Sequence, residues 1–377
     1  MQTYEDKLVY LEEMIDSGNK DWQKAVFDLD LNIHPDSLRK AFGTTNFSGY
    51  SVLKYFKNKQ EENLSTDEIE RLEELRDKVY KEKCKLQDVN REKRKYLREE
   101  SRTETMLEYL RECIDDLEPI SFKKCDYTFG TNIEATLLVS DLHNGAKVDN
   151  IYNYYDENVL IDRLAQLKDK TIALCKKNEV DQLNIELLGD FITGIIHGST
   201  ISQANDDLVS QIVNVSEILA NFINEIAKEI PNVRVYSVFG NHDRSTKSKS
   251  EGAIRENFGR LVPEFIRLRL PHVKVIDSKC EDHLAYRLRD GRLIVNTHGH
   301  YDNLSNARNH FVNLLKQDIF EIHMAHYHEY KESDGVVVNG SIMGSDDYAI
   351  SLRKNSKATQ VLRIYGEDTC CYKLELD

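Results

Sequence analysis

Apolar positions change their spacing twice along this 377-residue chain. In the first 60 residues they recur at helical intervals in short pieces: Leu8, Leu11 and Ile15, then Trp22, Val26 and Leu29, then Leu38, Ala41 and Phe42. Gly18, Pro35, Gly43 and Gly49 break the pieces, so the spacing predicts a small helical domain over residues 1–60. Residues 61–118 contain neither glycine nor proline. Their apolar residues fall on a heptad: Leu72, Val79 and Leu86, with Leu75, Val89 and Tyr96. That predicts a long charged helical linker over 61–125, packed on a second copy of the chain or on its own remainder.

From residue 126 short β-branched runs alternate with helical stretches. The runs Ala135–Ser140, Gln182–Leu188 and Val233–Phe239 read as buried strands, with helices near Glu157–Lys177 and Leu208–Glu229 between them. Strands alternating with helices of this length predict βαβ units and a parallel sheet. Leu284–Leu288 and Leu293–Thr297 flank Arg289-Asp290-Gly291-Arg292, a hairpin signal, so the sheet region is mixed. The expected architecture is an α/β domain over 126–377 behind an all-α N-terminal region.

In the first zone, two short helices joined by Asn32-Ile-His-Pro35, with Asp36 placed to cap the last, match a helix-turn-helix and equally a plain three-helix packing module. Arg39 and Lys40 lie on the last of these helices. Ten basic residues against four acids between Arg76 and Arg98 form either a solvated face or a rail for phosphates. The net charge of −14 argues against a protein that coats nucleic acid non-specifically. No run of ~20 apolar residues predicts a membrane span. The N-terminus carries no signal-peptide pattern, and seven scattered cysteines suit a reducing cytoplasm.

Candidate chemistry sits where the strands stop. The ends read Ser140-Asp141-Leu142-His143, Gly189-Asp190, Gly240-Asn241-His242-Asp243, Thr297-His298-Gly299-His300 and Ala325-His326-Tyr327-His328. In open α/β sheets the carboxyl ends of parallel strands converge on one edge, where ligands bind. The mixture of carboxylate, imidazole and amide suits two divalent cations, with Mn²⁺, Fe²⁺ or Zn²⁺ fitting better than Ca²⁺. Such a pair can share one carboxylate, polarise a phosphoryl oxygen and generate a bridging hydroxide. Asn241 is then a neutral ligand, His242 a general acid, and Asp243 the group that orients His242.

In this order the motifs Asp-x-His, Gly-Asp, Gly-Asn-His-Asp, a strand-end His and His-x-His resemble the calcineurin-like metallophosphoesterases over about residues 134–345. The resemblance implies a sandwich of two mixed β-sheets flanked by helices. It implies one metal, Mn²⁺ foremost, on Asp141, His143, Asp190 and His328. A second falls on Asp190, Asn241, His298 and His326, with Asp190 bridging. The chain departs from the pattern at Ala325, where glycine is usual, and at Thr193, where a second Asp is common. His300 offers a competing imidazole, and His298 is preferred from its place in the motif. His197, His310 and His323 read as structural or substrate-facing. The stretches Ser140–Ala146 and Asn339–Tyr348 are similar to phage-encoded members with a helical N-terminal domain, and DNA-repair nucleases share the core motifs.

Three functions follow. The first is a two-metal nuclease acting on DNA, in a host cytoplasm if phage-encoded, with a homodimer through 61–118 as an option. The second is the same chemistry on a nucleotide, cyclic nucleotide or phosphoprotein. The third is a non-catalytic binding module that keeps the core as scaffold.

Overall fold

A computed structural model describes residues 4–42, 77, 78, 80–90, 105, 108–195, 207–245, 257–278 and 282–377. The chain divides into two compact units, Met1–Tyr96 and Leu97–Asp377. In the first unit, α1 (Tyr4–Asp16), α2 (Trp22–Asp28) and α3 (Pro35–Phe42) bury Leu11, Met14, Ala25, Leu29 and Leu38. Asp21 caps α2, its carboxylate accepting from the Lys24 amide at 3.0 Å. Asp36 does not cap α3. Pro35 is the first helical residue, and the His34 ring Nδ1 accepts from the Asp36 amide at 3.2 Å instead. Proline fits that position because its missing N–H would have no helical partner there.

Residues 80–90 are helical, with Leu86 61% and Val89 60% exposed. The other heptad positions, and Arg76, Arg91, Lys93, Arg94, Lys95 and Arg98 of the basic run, lie outside the described residues. A second helical stretch at 108–115 belongs to the larger unit, where Leu110 enters the main core.

The larger unit is a two-sheet sandwich. Its first sheet has the order β13-β12-β1-β4-β5-β6, from β1 (Glu134–Val139), β4 (Gln182–Leu187), β5 (Asn232–Ser237), β6 (Lys274–Asp277), β12 (Thr359–Tyr365) and β13 (Thr369–Glu375). Strands β1, β4, β5 and β6 are parallel, while β12 runs against β1. The second sheet has the order β10-β11-β9-β8-β7, from β7 (His283–Arg287), β8 (Leu293–Thr297), β9 (Glu321–Met324), β10 (Lys331–Ser333) and β11 (Val336–Val338). The predicted hairpin is present as the antiparallel pair β7 and β8. A short ribbon, β2 (Val148–Asp149) with β3 (Tyr154–Tyr155), follows β1.

Both faces of the first sheet are covered, which is why β1 and β4 are buried along their whole length, although β4 alternates polar and apolar residues and its Gln182, Asn184 and Glu186 are buried with hydrogen-bond partners. Helices α4 (Glu157–Lys177), α5 (Leu208–Glu229) and α6 (Leu261–Arg269) supply one cover through residues such as Leu160, Leu167, Leu219, Ile223 and Phe265. The second sheet supplies the other, with Leu138, Leu188, Val238, Val337 and Val361 in one cluster. The far face of the second sheet packs on α7 (Ala307–Leu315) through Phe311. A short α8 (Asp347–Ser351) precedes β12. Each fully buried Leu or Ile contributes roughly 1.5–3 kcal/mol, so this layering holds the strand ends rigidly.

Candidate metal centre

The strand ends β1, β4, β5, β8 and β9 open onto one edge, and two glycines let the ends of β4 and β5 close up there. Gly189 has φ 89°, and a Cβ on it would strike the Gly240 backbone. A Cβ on Gly240 would strike the Asp190 carboxylate and amide. The Gly-Asp and Gly-Asn-His-Asp turns therefore pack backbone to backbone, and only glycine fits at either position.

All seven predicted ligands come together. Donor atoms of Asp141, His143, Asp190 and His328 lie within 4.8 Å of one another, and so do those of Asp190, His298 and His326. The amide of Asn241 joins the second set, its Oδ1 3.2 Å from His298 Nε2. Asp190 stands in both. Its Oδ2 is 3.2 Å from His298 Nε2 and 3.9 Å from His143 Nε2, while its Oδ1 accepts from the His242 amide at 2.8 Å. His300 belongs to neither set; its ring centroid is 5.4 Å from that of His298. His323 is buried elsewhere between the sheets, His310 is exposed on α7, and His197 lies outside the described residues.

Backbone strain marks the same residues. Ten non-glycine residues among those described have positive φ, and five of them are Asp141, His143, Asp190, His326 and His328. A left-handed conformation costs about 1–3 kcal/mol at a residue with a Cβ, and it persists where surrounding structure imposes it. Here it turns each side chain inward at the point where the strand ends. Nothing in the residue spacing announces it.

The donor set fits divalent cations on two observations. Asp141 Oδ1 is fully buried and accepts no hydrogen bond, yet it faces His328 Nε2 at 3.3 Å. His143 Nε2 and His328 Nε2 face each other at 3.2 Å. Orphaned acceptors and converging ring nitrogens are costly unless a cation lies among them. Protonation agrees. Burial pushes the His143 ring well below its ordinary pKa, with His242 adding to the effect. Burial and His298 push His326 down to about 4. Both rings are thus neutral donors. Burial works against ionised Asp190, but His298, His242 and His143 outweigh it and hold the carboxyl well below its ordinary range. Burial likewise disfavours charged His298, and the Asp190 carboxylate more than reverses this, lifting the ring to about 9.

A supporting layer orients these groups. His298 Nδ1 donates to the Leu188 carbonyl at 2.8 Å, which turns Nε2 toward Asp190. Ser140 Oγ donates to Asp141 Oδ2 at 2.8 Å and receives from Asn339 Nδ2 at 2.9 Å. Gln360 accepts from the Ser140 amide at 2.9 Å, and Ser341 Oγ donates to the Asp141 carbonyl at 3.1 Å. Sequence reading missed Gln360 because its partner is 220 positions away and no local pattern links them.

The expectation for Asp243 is corrected. His242 Nδ1 donates to the Thr193 carbonyl at 2.9 Å. The fully buried Asp243 carboxylate instead accepts from the amides of Gly240, Asp190, Phe191 and Ile192, at 2.8–3.3 Å. It clamps the two glycine turns together. Burial and the Asp190 charge push its pKa up to about 7 against those amides. Thr193, the departure from the family pattern, thus holds the imidazole by its backbone, and its Oγ1 donates to the His143 carbonyl at 2.9 Å.

The chain is similar to the SPbeta prophage-derived uncharacterized protein YonJ of Bacillus subtilis (strain 168), 23% identical over 93% of this chain and 94% of that protein. Among solved structures, the calcineurin-like phosphoesterase YfkN of Bacillus subtilis is 10% identical, over 64% of this chain and 90% of its own, with a TM-score of 0.30. The 5'-nucleotidase of Candida albicans is 8% identical, over 68% of this chain and 54% of its own, with a TM-score of 0.33. The sequence profile of the calcineurin-like phosphoesterases matches residues 135–366, a span that takes in every residue of both donor sets. With well over half its length matched, the chain belongs to the calcineurin-like phosphoesterase family.

Proposed function

We propose that this phosphoesterase is a two-metal phosphodiesterase that cleaves DNA, with His242 as general acid. The observation that carries the chemistry is the pair of donor sets sharing Asp190. Asp141, His143, Asp190 and His328 would hold one cation, and Asp190, Asn241, His298 and His326 the other. Mn²⁺ suits this nitrogen and oxygen mixture, followed by Fe²⁺ and Zn²⁺. Bound there, the cations supply Lewis acidity to the phosphoryl group and to the attacking water.

The chain's own residues do the rest. The left-handed turns hold the ligands in place before substrate arrives. The Thr193 carbonyl fixes the His242 ring through Nδ1, which assigns Nε2 to the proton given to the leaving oxygen. The His242 ring stands edge-on to His143, with centroids 4.6 Å apart, so the acid is beside the first donor set. Asp243 acts through the backbone, by keeping Asp190 and the Asn241-His242 turn in register.

DNA as substrate is supported by the exposed Lys78, Lys81 and Lys83 in and beside helical residues 80–90. The likeness of nearly the whole chain to a prophage-derived protein fits a phage setting. We place the protein in the cytoplasm. Among the described residues no helix is long and apolar enough to cross a membrane, and six cysteines are free.

The test is hydrolysis of bis-p-nitrophenyl phosphate beside labelled single- and double-stranded DNA, with Mn²⁺ added and His242→Asn as control. Both substrates should be cleaved, and the variant should keep its metal and lose about 10²–10⁴-fold in turnover. Cleavage of the small diester with DNA left intact would replace DNA by a small phosphoester substrate.

A further inference from the structure

The opposite edge of the first sheet carries a cavity of about 480 Å³. It opens where β4, β5 and β6 begin, so Gln182 lines the cavity and Asp190, eight residues on, lies in the metal centre. At about 3.3 Å per strand residue the two places are ~25 Å apart. The cavity is separate from the catalytic edge.

Its lining is cationic. Lys124, Arg234, Lys274 and Arg289 contribute to the wall, and no carboxylate does. In a chain of net charge −14, four positive side chains around one hollow without an acid are not the average surface. None of the four makes an ion pair with a described carboxylate. The nearby Glu134 is buried and engaged, accepting from Gln182 Nε2, Asn184 Nδ2 and the Arg289 amide. Arg289 is held in place, its Nε donating to Gln182 Oε1 at 3.2 Å. Phe122 and His272 stack with centroids 3.5 Å apart in the wall. The volume lies within the range of small-ligand sites, and guanidinium and ammonium groups recognise phosphate by charge-assisted hydrogen bonds.

We propose that this cavity binds a small phosphate-bearing anion. The site is independent of the nuclease reading. The shared chemistry is a phosphate dianion, taken either as free phosphate or as the phosphate of a nucleotide. In the second case the Phe122–His272 face is available to the base.

The experiment is calorimetric titration of full-length, Mn²⁺-loaded protein with inorganic phosphate and, separately, with dAMP. The variants are Lys124→Glu/Lys274→Glu and the milder Lys124→Gln/Lys274→Gln. Both lysines are exposed, so folding is not at stake, and unchanged hydrolysis of bis-p-nitrophenyl phosphate confirms it. Wild type should show binding beyond that at the catalytic edge, weakening as salt rises. Because each lysine would donate a charge-assisted hydrogen bond, the neutral pair should weaken this binding by at least about tenfold, and the reversed pair should abolish it. Tighter binding of dAMP than of phosphate identifies a nucleotide, and equal binding identifies free phosphate. Titrations of wild type and both variants that superimpose would overturn the proposal, as would the lack of any salt-sensitive site in wild type.

Discussion

Two clusters of buried histidine and carboxylate lie in this sandwich, and they behave as opposites. One is the metal centre at the strand ends. The other is midway between the sheets, where His323 Nδ1 meets Glu186 at 2.7 Å and Nε2 meets Glu321 at 3.2 Å. In the inner cluster every oxygen of the Glu186 and Glu321 carboxylates has a partner within the protein. Tyr286 donates to Glu186 at 2.8 Å, Tyr365 donates to Glu321 at 3.1 Å, and Arg363 pairs with both Glu321 and Glu332. At the metal centre Asp141 Oδ1 is left over and ring nitrogens confront each other. The inner cluster carries its own cations, His323 and Arg363, and closes on itself. The outer one carries charge on His298, lifted by Asp190, yet Asp141 Oδ1 still accepts no hydrogen bond. The backbone separates them as well: none of Glu186, Glu321, His323 and Arg363 has positive φ, while five of the outer ligands do. Residue types alone do not distinguish a site from a structural network. An unsatisfied acceptor and facing ring nitrogens on a strained backbone do.

The comparison can be broken by substitution. Asp190→Ala should have the largest effect. Loss of the shared carboxylate should bring metal content close to zero, and diester turnover should fall by at least ~10⁴-fold, beyond the loss of a general acid alone. Near-normal metal occupancy by elemental analysis would show that Asp190 does not bridge.

His323→Ala should do the reverse. It removes one partner from a buried charged network, which costs about 3–5 kcal/mol of stability. Chemical denaturation should show that loss while metal stoichiometry stays at the wild-type value. If metal falls with stability, the two clusters are not independent.

The inner cluster also predicts a pH dependence. Burial disfavours the charged His323 ring, but Glu186 and Glu321 outweigh it and lift its pKa to about 9. The folded value exceeds the unfolded value of roughly 6.5, so the stabilisation is complete below pH ~6.5 and is lost as pH rises through about 9. The shift corresponds to about 3 kcal/mol. Denaturation midpoints measured from pH 6 to 9.5 should fall in wild type, and this component should be absent in His323→Gln.

Ser140→Ala gives the smallest effect. Asp141 Oδ2 loses a donor, and changes in such supporting groups typically cost 10–100-fold in metal affinity. A Mn²⁺ titration with unchanged affinity would show that Ser140 does not position Asp141.

Much of this was legible beforehand. The helices Glu157–Lys177 and Leu208–Glu229 end where the apolar period predicted, because both pack one long stripe on a single sheet face. The strand-end order of Asp, His and Asn was visible because parallel strands must put their carboxyl ends on one edge. The partner of His242 was misread. Asp243 adjoins it in sequence, but in a tight turn adjacent side chains diverge, and the acceptor came from Thr193 on the neighbouring strand end.

By itself the sequence determined which groups could meet. Hydrophobic period sets the strands and helices, and glycine spacing sets the turns, since these are local consequences of sterics and burial. Only the tertiary structure decided which groups are satisfied. His323 and His298 are both fully buried histidines beside carboxylates. Whether such a ring closes an internal network or waits for a metal depends on donors and acceptors brought from distant strands, and that count exists only after the sheets have packed.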